Sequence, residues 1–286
     1  MRILLTGASG FMGRRIAPKL AAEGVDVIAV DRNPDPHLNI RAYYQGDICR
    51  SQILNEINEE VDAVIHLAAD VDICAGYDCM VDNIYGVFLL TQWARRNNAG
   101  KFIYPSTIGI FDALNDGAQA DERYPIAPAS LYGMTKYLGE NCLNASGIEA
   151  ILLRFPYIYG PGDLKGAIAN IFHSIAADKP PKIRNERRDY LHIDDAIDAI
   201  MRALEYQGEE RVFNVGSGTL TEMKEIVNLI SGICGTQPKM RIEGTRNNLA
   251  TDFSLAAKEL NWAPARSLDS GLREEVAFLN ALQTAL

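Results

Sequence analysis

A doubly wound parallel α/β sheet with a smaller C-terminal lobe is the fold class that these 286 residues predict. Three observations predict it. Apolar, strand-like segments alternate with helical patterns from residue 2 to residue 154, which builds βαβ units and hence a parallel sheet. One of those segments, residues 61–69, is almost continuously apolar, as suits a strand covered on both faces. Beyond Phe155 the alternation gives way to turns, short extended pieces and helices, the texture of a separate lobe.

Residues 1–31 set the pattern. Arg2-Ile3-Leu4-Leu5 runs into Thr6-Gly7-Ala8-Ser9-Gly10-Phe11-Met12-Gly13, a helical stretch reaches Glu23-Gly24, and a second apolar segment, 25–30, is closed by Asp31. This reads as strand, glycine turn, helix, strand, acid. Glycines let the backbone turn tightly and approach a pyrophosphate, while the helix start points free N–H groups at the anion. An acid ending the second strand accepts from both hydroxyls of an adenosine ribose, so the arrangement predicts a Rossmann-like dinucleotide site.

Residues 41–45 read as a short strand followed by Gly46-Asp47-Ile48, where Asp47 either meets an adenine amino group or is an exposed turn residue. Residues 51–60 look helical, and 61–69 form the buried strand, whose His66 is read as a satisfied core histidine. Ala68 and Ala69 at its end are small enough to admit a ligand against the backbone. Residues 82–98 carry helical periodicity and stop at Asn97-Asn98-Ala99-Gly100. Lys101-Phe102-Ile103-Tyr104 is the next strand, with Pro105-Ser106-Thr107 at its C-terminal edge. A helix starts at Ser130, a strand spans 148–154, and in such a sheet ligands bind at the carboxyl ends of the strands. In the lobe, helices are expected at 166–177, from about 191 to 206 and at 221–233, with a final strand at 212–215, an extended piece at 239–242 and two closing helices. The division expected is a Rossmann-like NAD-binding domain of residues 1–160 and 188–218, and a substrate lobe of 161–187 and 219–286.

Hydrophobic content of 48% and charged content of 23% are ordinary for a soluble domain. A net charge of −9 argues against a nucleic-acid or anionic-membrane binder, though not against a small anion in a local basic pocket. The five cysteines form no CxxC pair, so free thiols are expected rather than a metal site or disulfides. The amino terminus enters a strand at once and no apolar run approaches membrane-span length, so the cytoplasm is the expected location.

Tyr132 and Lys136, four residues apart, share a helix face. A phenol titrates near about 10, and a neighbouring ammonium favours its ionised form. Tyr132 is then able to take a proton from a substrate hydroxyl while hydride leaves the same carbon, and Lys136 also to donate to a nicotinamide ribose. Such a pair alone is a weak motif; its weight comes from the dinucleotide-type start and the Ser-Thr pair on a strand end.

With these segments together, the chain resembles the extended short-chain dehydrogenase/reductase family, which holds the nucleotide-sugar epimerases and dehydratases. The resemblance rests on TGASGFMG with GxxGxxG spacing, Asp31, GDI ending in Ile48, HLAAD, the NIYG segment starting at Asn83, PST, LYGMTK, LRF ending in Phe155, YGPGD, RRDYLHIDDAIDAI, FNVGSG and LNWAP. It implies a catalytic set of Thr107, Tyr132 and Lys136. It implies cofactor contacts from Gly7, Gly10, Phe11, Met12, Gly13, Asp31, Arg32, Asp47, Ile48, Leu67, Ala68, Ala69, Asn83, Tyr132, Lys136 and Phe155. Asp31 favours NAD, since a 2′-phosphate there meets a carboxylate; Arg32 beside it keeps NADP as the alternative.

Departures narrow the chemistry. Dehydratases of the family follow the catalytic Thr with an Asp-Glu pair, whereas Thr107 here precedes Ile108-Gly109. Elimination is disfavoured, leaving hydride transfer at a carbinol carbon. Tyr157 stands where relatives carry a sugar-contacting Asn, and the segment before Arg188 is shorter than the usual hairpin. Thr107, Tyr157 and Arg188 are the substrate candidates. Arg188 falls where relatives hold a diphosphate, the alternative being an ion pair with Asp189 or Asp194. Arg246 is a second phosphate candidate, better read as a solvated loop residue. The function expected is an NAD-dependent, 4-epimerase-like enzyme of a nucleotide sugar. The alternatives are an NAD-dependent dehydrogenase of a small molecule, because Pro105-Ser106-Thr107-Ile108 resembles the family's threonine dehydrogenase branch, and a non-catalytic NAD-binding regulator. The resemblance also implies a homodimer packed through residues 82–98 and 130–145. Val87, Leu90, Leu138 and Leu143 suit that interface or an ordinary core.

Overall fold

Strands that are apolar throughout need cover on both faces, and helices supplied by βαβ crossovers provide it. The computed structural model describes residues 1–71, 77–111, 119–237, 239–244 and 248–285. In chain order the elements are β1 (Arg2–Thr6), α1 (Gly13–Ala22), β2 (Asp26–Asp31), β3 (Ala42–Gln45), α2 (Ser51–Glu56) and β4 (Ala63–His66). Next come α3 (Tyr77–Met80), a π-helical turn at Val81–Tyr85, α4 (Gly86–Arg96), β5 (Lys101–Thr107), a 3-10 turn at Ile108–Ile110 and β6 (Gln119–Ala120). They are followed by α5 (Leu131–Ser146), β7 (Ala150–Phe155), β8 (Tyr157–Tyr159), α6 (Ala167–Ala176), β9 (Lys182–Arg184) and β10 (Arg187–His192). The last are α7 (Ile193–Glu205), β11 (Val212–Asn214), β12 (Leu220–Glu222), α8 (Met223–Ile233), β13 (Arg241–Glu243), β14 (Asn248–Thr251), α9 (Ser254–Glu259) and α10 (Leu268–Ala285).

The chain divides into two units: Met1–Asp112, Pro125–Arg154 and Ala199–Phe213 in one, Ala113–Tyr124, Phe155–Asp198 and Asn214–Leu286 in the other. The first is built on a seven-stranded sheet of order β11-β7-β5-β4-β1-β2-β3, and its pairs from β3 through to β5 are parallel. The order reverses beside β1, where such sheets open a crevice at the strand ends. Ile3, Leu4, Leu5, Val64 and Ile65 are fully buried, and Val87, Leu90, Trp93 and Leu143 complete the core.

The ladder ends sooner at β4 than the apolar run suggests. Past His66 the chain leaves the sheet, and the Ala68 amide donates to the Thr6 hydroxyl at 3.2 Å. The helix expected at 82–98 starts in the π-helical turn at Val81–Tyr85, a form often found near functional sites. Pro105, Ser106 and Thr107 prove to be part of β5 itself.

Beneath α5 lies a buried polar knot. Arg154 grips Glu140 through two hydrogen bonds, Nε to Oε1 at 3.0 Å and Nη2 to Oε2 at 2.7 Å, and Ser106 donates to the same carboxylate at 2.5 Å. Both side chains of the pair are nearly solvent-free, at 5% and 2% exposure. The Arg154 guanidinium also sits 5.3 Å from the Phe111 ring centre.

In the second unit β10 is the central strand, antiparallel to β12 and parallel to β14 and β8, while β14 also pairs with β6. Residues 187–192, the last two of which were expected to open a helix, are thus a strand, and β11 is not the last strand of the chain. Asp189 explains the arrangement. Its carboxylate accepts from the Ser217 amide and hydroxyl at 2.9 and 2.6 Å, from the Gly218 amide at 3.0 Å, and from the Thr251 amide and hydroxyl. One buried acid thereby ties β10 to β14 and to the turn before β12. Helices α6, α8 and α10 close a core of Phe172, Ile226, Val227, Ile230, Leu272 and Val276.

Glu275 of α10 is fully buried there with neither carboxylate oxygen hydrogen-bonded. Burial, and secondly the Asp163 carboxyl, push its pKa from 4.5 up to about 8, against a weaker pull from the Gly160 amide. Below about pH 4.5 this carboxyl is neutral in folded and unfolded chains alike. Between about 4.5 and 8 the unfolded chain releases the proton while the folded chain keeps it, so stability falls across that window. Urea unfolding followed from pH 5 to 8 is expected to show a flatter decline for Glu275→Gln than for the parent; parallel curves would contradict the assignment. Arg154→Met, which strands the buried Glu140 carboxylate, is expected to cost about 3–5 kcal/mol in the same unfolding measurement.

Candidate active site

Backbone crowding shapes the first half of the site. Gly7 adopts φ +72°, and a Cβ there would lie 2.6 Å from the Ala68 amide nitrogen. A Cβ at Gly13 would lie 2.2 Å from the Gly7 carbonyl oxygen, so only glycine lets α1 start this close to β1. Helix α1 has no side-chain cap and no acid in its first turn, which leaves N–H groups at its start for an anion. Phe11 and Met12, immediately before it, are half-buried.

An open cavity of about 180 Å³ lies beside this turn, lined by Gly7, Ser9, Gly10, Asp31, Arg32, Asp47, Ile48, Leu67, Ala68 and Ala69 among others. Asp31 is held ready: Oδ2 accepts from the Ser9 amide and Oδ1 from the Asn33 amide, each at 2.9 Å. One lone-pair position per oxygen remains for a ribose diol. Asp47 accepts from the Cys49 amide at 2.9 Å and faces the same cavity. The pattern fits a dinucleotide: a crowded glycine cradle, an uncapped helix and an oriented carboxylate. Ser9, from within the glycine turn, also lines the cavity, as do Asn33, Cys49 and Asp82, which carried no motif that marked them in advance; of these three only Asn33, placed two residues beyond Asp31, stood within reach of a local argument.

Asn83, an expected cofactor contact, has its carboxamide bonded within the fold. Its carboxamide accepts from the Asp70 amide at 2.7 Å and donates toward the Asp70 carbonyl, the Thr135 hydroxyl and the Cys79 sulfur. It is 1% exposed and clamps the chain after β4 to α5.

The second half of the site gathers at the carboxyl end of β5. Thr107 ends that strand, and its hydroxyl accepts from the Gly109 amide at 3.0 Å, leaving its proton to donate elsewhere. Ser130 caps α5 by accepting from the Gly133 amide at 3.0 Å. Gly133 presses on the Gly109 carbonyl, where a Cβ would come within 2.3 Å. This contact brings the first turn of α5, with Tyr132, onto the turn that follows Thr107. Lys136, one turn on, is buried with its Nζ 4.1 Å from the Tyr104 ring centre.

Protonation in the protein alone departs from the expectation of a lowered phenol. Burial, with Cys79 nearby, raises the Tyr132 pKa instead. Burial also pushes Lys136 down to about 7, opposed by Glu140 and Cys79. Desolvation penalises both charges on this helix face and is the largest influence on each. His66 donates or accepts at the Thr6 hydroxyl, 2.7 Å away, and burial drives its pKa down to about 3, so it is a neutral core residue.

The substrate candidates of the second unit are already engaged. The Tyr157 hydroxyl accepts from the Ala167 amide at 2.5 Å and so caps α6. Arg188 pairs with neither Asp189 nor Asp194 but with Glu186, Nε to Oε1 at 2.9 Å and Nη2 to Oε2 at 3.0 Å. Phe155 is buried at the end of β7. Arg246 lies outside the described residues, as does Cys74. The other four cysteines are free thiols. One group of metal-ligand type exists among the described residues, His192, Asp194 and Glu274, and Arg266 bridges both of its carboxylates. No described helix is long and apolar enough to cross a membrane.

Comparison with known proteins agrees with the cavity. The family model "NAD dependent epimerase/dehydratase family" matches residues 3–216. A putative UDP-glucose 4-epimerase of Methanocaldococcus jannaschii is 28% identical over 301 residues, covering 97% of this chain and 98% of that protein. The structure of a UDP-glucose 4-epimerase with UDP-glucose from Thermotoga maritima superposes with a TM-score of 0.91 at 26% identity, covering 99% and 100% of the two chains. A UDP-glucuronic acid 4-epimerase from Bacillus cereus, in complex with UDP-glucuronic acid and NAD, does so with a TM-score of 0.87, also at 26% identity, covering 99% and 100%. A glycine cradle that no larger residue could form, an acid held in place at the cavity, and a family match over most of the chain lead to one conclusion: this protein is an NAD-dependent enzyme that belongs to the NAD dependent epimerase/dehydratase family.

Proposed function

We propose that the protein epimerises a nucleotide sugar at a carbinol carbon, in the manner of a 4-epimerase. The observation that carries this reading is the gathering of Thr107, Tyr132 and Lys136 at the end of β5 and the start of α5, with Ile108 and Gly109 following Thr107. Neither of those two residues offers an acid or base to expel water, which argues against dehydration. The UDP-sugars named for the similar proteins support the substrate class.

In this reading NAD, bound in the glycine cradle against Asp31, supplies the reversible hydride acceptor. Thr107 donates its free hydroxyl proton to the substrate oxygen and holds it in place. Tyr132, in its phenolate form, takes the proton from that oxygen, becoming the phenol, and later returns it. Lys136 stabilises the phenolate when its own ammonium is retained, and the buried Glu140 carboxylate beneath it favours that charged form. The raised Tyr132 pKa of the protein alone means that this activation is completed only when substrate and cofactor are in place.

Incubation with UDP-glucose is expected to yield its 4-epimer without net NADH, read by chromatography. Tyr132→Phe should slow this by roughly 10²–10⁴-fold while the protein stays folded. Specific nucleotide sugars should also raise the melting temperature, since saturation at a hundred times the dissociation constant adds about 2.7 kcal/mol. No shift with any nucleotide sugar overturns the reading.

One observation favours a second reading, an NAD-dependent dehydrogenase of a small molecule: the Arg188 guanidinium is paired with Glu186 instead of standing ready for a diphosphate. Steady growth of NADH absorbance with a free amino acid such as threonine, and none with nucleotide sugars, would select it.

A homodimer is part of the proposal. Val87, Leu90 and Leu143 are core residues, whereas Tyr85, Phe88, Met134 and Leu138 are 40–47% exposed on the π-helical turn, α4 and α5. Tyr85 and Phe88 stack on each other at 6.4 Å. These exposed apolar side chains suit a second copy of the same face. Light scattering is expected to give twice the chain mass for the parent and the single-chain mass for Phe88→Glu with Leu138→Glu.

A further inference from the structure

NAD and NADP differ by one phosphate on the adenosine ribose, so preference between them is decided by the charges that face that sugar. In this chain two adjacent residues at the end of β2 have opposite interests there. Asp31 accepts from ribose hydroxyls and repels a phosphate. Arg32 is the only cation among the described residues that line the cavity, and a guanidinium is well suited to grip a phosphate in a bidentate fashion.

Arg32 is not at liberty to do so. Its Nη1 lies 2.8 Å from Oδ2 of Asp82, a residue of the π-helical turn that lines the same cavity. The pair thus joins the end of β2 to the Val81–Tyr85 turn. Asp82 is itself held. Its Oδ1 has the Cys49 sulfur 3.9 Å away, and the same thiol approaches the Val81 carbonyl at 3.7 Å. Burial, aided by Asp47 and Asp82, pushes the Cys49 thiol up to about 12, so it remains a neutral donor and adds no negative charge. The Asp82 side chain is 19% exposed against 59% for Arg32, so the acid is the anchored partner and the arginine the tethered one.

We infer that Asp82 is a cofactor-specificity residue: it holds Arg32 in an ion pair across the cavity and so denies a guanidinium to the 2′-phosphate of NADP. Three carboxylates, Asp31, Asp47 and Asp82, then surround the adenosine end of the cavity against one guanidinium that is already neutralised. An exposed pair of this kind contributes little to folding stability, so its consequence lies in selection. Asp31 at the end of β2 is necessary for NAD preference, and Asp82, 50 positions beyond Arg32, completes it.

The test is a calorimetric titration of the full chain with NAD and with NADP, read as the ratio of their dissociation constants. In the parent this ratio favours NAD. Asp82→Asn, which keeps the shape and removes the charge, is expected to move the ratio toward NADP by about tenfold. Adding Arg32→Met to that variant is expected to return the ratio to within about twofold of the parent, because the gain belongs to the released guanidinium. Arg32→Met alone unpairs the Asp82 carboxylate and is expected to keep or deepen the NAD preference, and Asp82→Ser keeps the inference testable if Asp82→Asn fails to fold. An unchanged ratio in a folded Asp82 variant, a gain that persists in the double variant, or a shift toward NADP in Arg32→Met alone would each overturn it.

Discussion

The carbonyl of Gly7 leaves no space for a side chain at Gly13, and the Ala68 amide leaves none at Gly7. Backbone therefore packs directly on backbone where β1, α1 and the end of β4 meet. Everything in the cofactor cavity follows from that crowding. Helix α1 begins close enough to β1 for its uncapped N–H groups to serve an anion, and the Ser9 amide reaches the Asp31 carboxylate. The chain after β4 is drawn onto Thr6, which places Leu67, Ala68 and Ala69 along the cavity wall. A single added methyl group at either glycine would push these elements apart and dissolve the site along with the packing.

The face of α5 shows a different constraint, that of charges held without water. Tyr132, Lys136 and Glu140 follow one another at intervals of four residues. Burial drives the first toward its neutral form and lowers the pKa of the second to about 7, while the third accepts three hydrogen bonds from Arg154 and Ser106. Tyr104 extends the pattern, offering its ring to Lys136 while burial raises its own hydroxyl pKa well above 10.

In the second unit, polar side chains that a motif comparison would send to a ligand are used to build the unit. Asp189 organises three segments, Tyr157 caps α6, and Arg188 is matched with Glu186. The balance at Arg188 has a chemical meaning. A bidentate pair at hydrogen-bond distance must be broken before the same guanidinium can accept a diphosphate, so Glu186 raises the cost of binding for any anionic substrate that relies on it.

Sequence alone determined the α/β class, the order of β1, α1 and β2, the place of Asp31 at the end of β2 and the shared helix face of Tyr132 and Lys136. These rest on local periodicity and fixed spacing, which the chain carries within a few residues. Hidden from it were β6, β8, β10, β12 and β14, since strands of two to six residues that pair over long separations leave no alternating pattern to read. Hidden too were the clamp made by Asn83, the cap made by Tyr157 and the Arg32–Asp82 pair. Each depends on which side chain lies nearest in space, and a polar group inside a fold takes whatever partner satisfies it at hydrogen-bond distance. Spacing in the chain says which groups can share a helix face, but only tertiary packing decides which of them remain free to meet a ligand.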